Sequence, residues 1–258
     1  MDNIIVLDKI NKFYGDEVVV QVLFDIDLSI KSGQFTAFIG PSGSGKSTLL
    51  NIIGLLEAPT SGKVFLDGQD ITELGKSQLA SYRNEKIGFI FQFHYLLPEF
   101  TALENILIPY WIGKGKPPQE IVDRAMYLME RIGIKQYGGK YPNQLSGGQQ
   151  QRVAIARSLI NQPKIIFADE PTGNLDSKTS NMVMELLKEI VRENKTNLVM
   201  VTHDRDIAAG ADRVIEIVDG RINCDFTVDR ISREKVGQEL EHLASTFGSG
   251  AADGQNDV

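Results

Sequence analysis

Four short apolar runs stand out along the chain: Phe35–Ile39, Ile87–Phe91, Lys164–Ala168 and Asn197–Val201. Each is too short for a helix and rich in β-branched or aromatic residues, so each is expected to be a strand. Helical patterns separate them, which predicts an α/β chain with a largely parallel sheet. Residues 3–8, 18–30 and 63–67 have a different texture, with strand-like runs bounded by turns such as Asp67-Gly68. They predict a small antiparallel layer.

Between residues 93 and 163 the strand pattern stops. Thr101 followed by Glu104 has the spacing of a capping box and predicts a helix start. Ile121, Ala125, Leu128 and Ile132 line one helical stripe over 119–132, and Gly113 to Pro118 breaks the two helices apart. A helical insertion at 92–163 is therefore expected inside a core made of 1–91 and 164–222. Residues 223–258 are expected as a C-terminal extension. Within it, Val236, Leu240, Leu243 and Phe247 give the seam of an amphipathic helix over 231–247, and the small, polar end is expected to be disordered.

Composition narrows the class. With 258 residues, 42% apolar and 24% charged, the chain can bury one or two cores, so dominant disorder is excluded. One cysteine, Cys224, excludes a disulfide scaffold. The net charge of −7 argues against nucleic acid as a partner and against a polybasic membrane binder. No apolar run approaches the ~20 residues that span a bilayer, and no signal peptide is visible. A cytoplasmic globular protein is the expectation.

The chemistry concentrates in three places. Gly40-Pro41-Ser42-Gly43-Ser44-Gly45-Lys46-Ser47 fits the Walker A pattern between a strand and a helix that opens at Thr48. Glycines let the loop curl so that backbone N–H groups point at phosphate oxygens, and the helix N-terminus adds its positive end. Lys46 supplies a point charge for the β- and γ-phosphates, and the Ser47 hydroxyl can ligate Mg²⁺. Second, the strand Ile165–Ala168 ends in Asp169 and Glu170. Beside a phosphate loop, Asp169 is placed to hold the Mg²⁺ shell and Glu170 to orient or deprotonate the attacking water. Third, Ser146, Gly147, Gly148 and Gln149 stand at the start of a helix, a second preorganised anion site. Two such sites suit two chains facing head to tail, each closing on the other's γ-phosphate. Alone, this stretch would pass for a serine cap with close-packed glycines.

Leu145-Ser146-Gly147-Gly148-Gln149 resembles the signature of the ATP-binding cassette (ABC) family, and further motifs follow the family's order. Gln92 resembles the Q-loop glutamine, Gly173 to Asp176 the D-loop, and His203 the switch histidine. Tyr14 resembles the aromatic that stacks on adenine. The similarity spans roughly residues 3 to 222. It implies a P-loop NTPase with a RecA-like parallel sheet, an antiparallel β layer and an inserted helical subdomain. It implies Mg²⁺-dependent ATP hydrolysis, with Glu170, His203 and Gln92 catalytic, and with Ser47, Gln92 and Asp169 at the metal. Tyr14 and Gly40 to Thr48 would hold the nucleotide, while Ser146 to Gln149 and Asp176 would act on the ATP of a second copy. The partners implied are that second copy and integral membrane permease subunits, at the cytoplasmic face of the inner membrane. Phe91 to Ile106 and Ala168 to Asp176 resemble a narrower group of lipoprotein-releasing, macrolide-efflux-type and cell-division-type ATPases, and most of all its lipoprotein-releasing members. Phe93 to Trp111, dense in aromatics, is expected to dock the membrane subunits.

Overall fold

The computed structural model describes residues 3–228. The seam expected at Val236, Leu240, Leu243 and Phe247 lies outside the described residues. The main sheet holds β3 (Phe35–Ile39), β6 (Ile87–Phe91), β7 (Ile165–Asp169), β8 (Asn197–Val201), β9 (Arg213–Val218) and β10 (Arg221–Thr227), in the order β10-β9-β3-β8-β7-β6. Five strands run parallel; β10 pairs antiparallel with β9. A second, antiparallel sheet holds β1 (Asn3–Tyr14), β2 (Val20–Lys31), β4 (Ser61–Leu66) and β5 (Gln69–Asp70), ordered β2-β1-β4-β5.

The parallel strands separate two apolar cores, which is why they read as unbroken apolar runs. Ala37, Ile166, Ala168, Leu198 and Met200 face one core. There they meet α3 (Ala102–Lys114), α4 (Gln119–Arg131), α5 (Gly147–Leu159) and α6 (Ser177–Asn194). Their alternating neighbours Phe38, Ile165, Phe167, Val199 and Val201 face the other, against α1 (Lys46–Ile53) and the antiparallel sheet.

Among the described residues the predicted strands and helices are present, with two differences of extent. β1 runs to Tyr14 rather than ending near residue 8. Lys9 and Asp25 stand at positive φ in a bulged pairing, so the polar stretch Asp8 to Lys12 stays in the sheet without alternating. β10 crosses the boundary expected at 222/223, because Ile222, Cys224 and Phe226 sit half-buried between exposed neighbours, the pattern of an edge strand. α5 is buried nearly all round: Gln151, Ala154, Ile155 and Ser158 are enclosed as well as Val153, Ala156 and Leu159. α2 (Lys76–Lys86) has no fully buried residue and packs on the core only through the half-buried Leu79 and Tyr82, a stripe too short to announce it. The last helix, α7 (Arg205–Ala209), follows β8.

Thr101 caps α3 as the spacing predicts. Its hydroxyl accepts from Glu104 N at 3.3 Å while Glu104 Oε2 accepts from Thr101 N at 2.8 Å. Thr101→Ala is expected to destabilise the fold by about 1 kcal/mol, the usual worth of such a cap, read by denaturant titration.

Candidate nucleotide site

Strand register puts the chemistry along one edge. Phe38 pairs with Val201, Val201 with Asp169, and Asp169 with Phe91. Gly40, His203, Glu170 and Gln92 therefore emerge together, just past the carboxyl ends of four neighbouring strands. In open parallel sheets this is where ligands bind.

The loop from Gly40 to Gly45 wraps the N-terminus of α1. Gly40 has φ of 139°, and a Cβ there would collide with the Ile217 carbonyl. Gly45 has φ of 97°, and its Cβ would stand 2.8 Å from Leu23 Cδ2. No side chain fits at either position. Lys46 is buried, and its ammonium donates to the carbonyls of Gly40 at 2.9 Å and Pro41 at 2.5 Å. Burial pushes its pKa down, against the pull of Glu170 and Asp169. Ser47 Oγ donates to Asp169 Oδ1 at 3.2 Å, so the Walker A hydroxyl and the strand-end acid meet. Burial pushes the Asp169 carboxyl up; the Ser47 hydrogen bond opposes this, and Glu170 adds to it.

Glu170 sits at φ of 45°, held by its N–H to Val201 O at 3.0 Å, and its Oε1 lies 3.0 Å from His203 Nδ1. Gln92 is beside it: a Cβ on Gly173 would be 2.9 Å from Gln92 Nε2 and 3.3 Å from Glu170 Oε2. Asn174 Nδ2 donates to the Gln92 carbonyl at 3.0 Å, tying this corner together. The resulting cleft, about 440 Å³, is lined by Gly40, Ser42, Gly43, Gly45 to Thr48, Glu170 and His203. Val22 and Val201 also line it, and no sequence motif marks them, because they are ordinary strand residues.

The other predicted residues stand apart from this cleft. Tyr14, at the end of β1, donates its hydroxyl to Glu57 Oε2 at 2.7 Å, and the Lys12 ammonium lies 4.9 Å from its ring centroid. Glu57, which no sequence motif marks, is salt-bridged to Lys12 at 2.8 Å. Ser146 caps α5, bonded reciprocally with Gln149, while Asp176 caps α6 through Thr179 N at 3.1 Å. Neither Ser146, Gly147, Gly148, Gln149 nor Asp176 lines the cleft. A Cβ on Gly148 would stand 2.7 Å from Thr179 Cγ2, so this glycine also serves packing.

A phosphate loop, an acid that meets it from the end of β7 and a carboxylate–histidine pair beside them define a P-loop nucleotide hydrolase. The family description "ABC transporter" matches residues 23–173, and the chain belongs to that family. It is an ABC-type ATPase, and it binds ATP. Lipoprotein-releasing system ATP-binding protein LolD 1 of Rhodopseudomonas palustris is 47% identical over 224 residues, 86% of this chain and 99% of its own length. LolD of Aquifex aeolicus is 50% identical over 80% of this chain and 92% of its own. The macrolide export ATP-binding/permease protein MacB of Aggregatibacter actinomycetemcomitans is 50% identical over 86% of this chain but only 34% of its own length. Among solved structures, a dimeric post-hydrolysis ATP-binding cassette bound to ADP and Pi superposes with a TM-score of 0.81. It is 42% identical and covers 87% of this chain and 99% of its own.

Proposed function

We propose that two copies of this chain enclose two ATP molecules head to tail and drive a separate integral membrane permease that releases lipoproteins from the bacterial inner membrane. The observation that carries the sandwich is the division of the motif residues. Gly40 to Thr48, Asp169, Glu170, Gln92 and His203 gather at one edge, while Ser146 to Gln149 and Asp176 lie outside that cleft. The dimeric neighbour bound to ADP and Pi supports the same reading. Lipoprotein release rests on the LolD relatives. A macrolide-efflux role is the second reading, favoured by the MacB relative.

Each residue then has a task. The glycine loop and Lys46 hold the β- and γ-phosphates, and Tyr14 covers the adenine. Ser47 and Asp169, hard oxygen donors already in contact, would hold Mg²⁺ with help from the Gln92 amide. That ion would neutralise charge developing on the phosphates. Glu170 takes the proton of the water that attacks the γ-phosphorus as the bond to ADP breaks. His203, against Glu170, hydrogen-bonds the γ-phosphate. Ser146 to Gln149 and Asp176 cap the γ-phosphate of the partner copy.

Among residues 3–228 no helix is long and apolar enough to cross a membrane. The chain is therefore proposed to be recruited, on the cytoplasmic face, by the aromatic segment after Gln92. Phe93 is 60% exposed, Tyr95 65% and Leu97 44%, beside a groove of about 460 Å³ between α2, α3 and α5. Replacing Tyr95 and Leu97 together with glutamate is expected to leave folding and the isolated subunit's ATPase intact. It should abolish co-purification with membrane subunits from detergent-solubilised membranes. Retained co-purification would place the docking surface elsewhere. The identity of the integral subunits recovered with the unmodified chain separates lipoprotein release from efflux.

A further inference from the structure

We infer that Gln151 is a positioning residue for Glu170, acting through Pro171; this rests on the site reading above. Gln151 lies on α5, five residues past Ser146, and is 1% exposed. Its side-chain N–H donates to the Pro171 carbonyl. Its Oε1 is buried among the described residues with no hydrogen-bond partner. An apolar side chain of the same shape would remove the orphaned acceptor but leave the buried Pro171 carbonyl unpaired, so the glutamine is present for this one bond.

What the bond holds is informative. Glu170 occupies the left-handed region at φ of 45°, a conformation a residue with a side chain keeps only when its surroundings enforce it. On the strand side its N–H is fixed by Val201 O at 3.0 Å. Pro171, the next residue, has its own φ locked by its ring, so fastening its carbonyl fixes the far side of the same turn. Gln151 is the fastener. Nearby, Gly148 packs against Thr179 with no room for a methyl group, and Ser180 Oγ reaches the carbonyls of Thr172 and Leu175. The start of α5 and the turn from Glu170 to Asp176 thus form one rigid piece. In the sandwich this piece carries Ser146 to one ATP and Glu170 to the other. A shift of α5 when Ser146 engages the partner's γ-phosphate is transmitted to Glu170 through Gln151.

The test uses the full chain with Gln151→Leu and, as a second replacement of similar volume, Gln151→Met. Both delete the donor and also the orphaned acceptor. Measured together are the melting temperature, the Kd for ATP, KM and kcat. The expected result is kcat lowered by about 10-fold or more, in line with what a small misplacement of a reacting group costs. KM and Kd should stay within about twofold, the pattern of an interaction made in the transition state alone, while the melting temperature falls because the buried Pro171 carbonyl loses its donor. An unchanged kcat in a folded variant, whatever its melting temperature, overturns the inference. So does a fall in kcat matched by an equal loss of ATP binding. If Glu170→Gln slows turnover while the Gln151 variants do not, this inference fails and the site reading stands. If Glu170→Gln is also without effect, the site reading fails with it.

Discussion

Lys46→Ala should bind ATP too weakly to detect at micromolar concentrations. Lys46 is buried, its ammonium is hydrogen-bonded to Gly40 and Pro41 carbonyls, and it lines a cleft whose other lining includes neutral loop residues, Glu170 and His203. One charge pair at contact is worth about 4 kcal/mol at the effective dielectric of ~20 that suits such sites, or roughly three powers of ten in affinity. The substitution also leaves the two acids facing the incoming phosphates without compensation. Burial lowers the Lys46 pKa, and the attraction of Glu170 and Asp169 opposes that shift. Equilibrium binding of ATP checks it. Affinity equal to the unmodified chain would refute the cradle.

Glu170→Gln should retain ATP binding and lose turnover by a factor of about 10² or more, at the low end of what a general base contributes. The replacement is nearly isosteric. It preserves the backbone N–H to Val201 O and a side-chain oxygen facing His203 Nδ1, so the local geometry survives while the proton acceptor is lost. Steady-state kcat with ATP affinity measured alongside distinguishes the two effects. Equal loss of both would mean Glu170 serves binding instead.

Much of this site is legible from residue order alone. The loop Gly40 to Ser47, the acids after Phe167-Ala168 and His203 after Val201-Thr202 are all short local patterns at strand ends, and parallel pairing brings strand ends together. The strands β3, β7 and β8 are equally plain, because burial on both faces leaves Thr36 as the one polar residue between their ends. What the sequence conceals is what depends on distant pairing. The bulges at Lys9 and Asp25 exist only because β1 and β2 are side by side, with Lys9 N–H on Asp27 and Asn11 on Asp25. α2 touches the core only through the half-buried Leu79 and Tyr82, too little apolar surface to read as a stripe. Glu57 joins Tyr14 across 43 residues, and Gln151 joins Pro171 across 20, so neither pair shows in a local motif. Ser146 and Asp176 are a middle case. Their helix-capping geometry follows from local spacing, whereas the action on a second copy proposed for them lies outside anything a single chain's own geometry displays.

The head-to-tail sandwich is tested most directly by sedimentation of the Glu170→Gln chain with ATP and Mg²⁺. Trapped by slow hydrolysis, ATP should hold two copies together, giving a dimer with nucleotide and a monomer without it. Adding Ser146→Arg to the same chain should return it to monomer, since a bulky cation would stand where the partner's γ-phosphate docks. A monomer in the ATP-loaded Glu170→Gln chain, or a dimer indifferent to Ser146→Arg, would contradict the account.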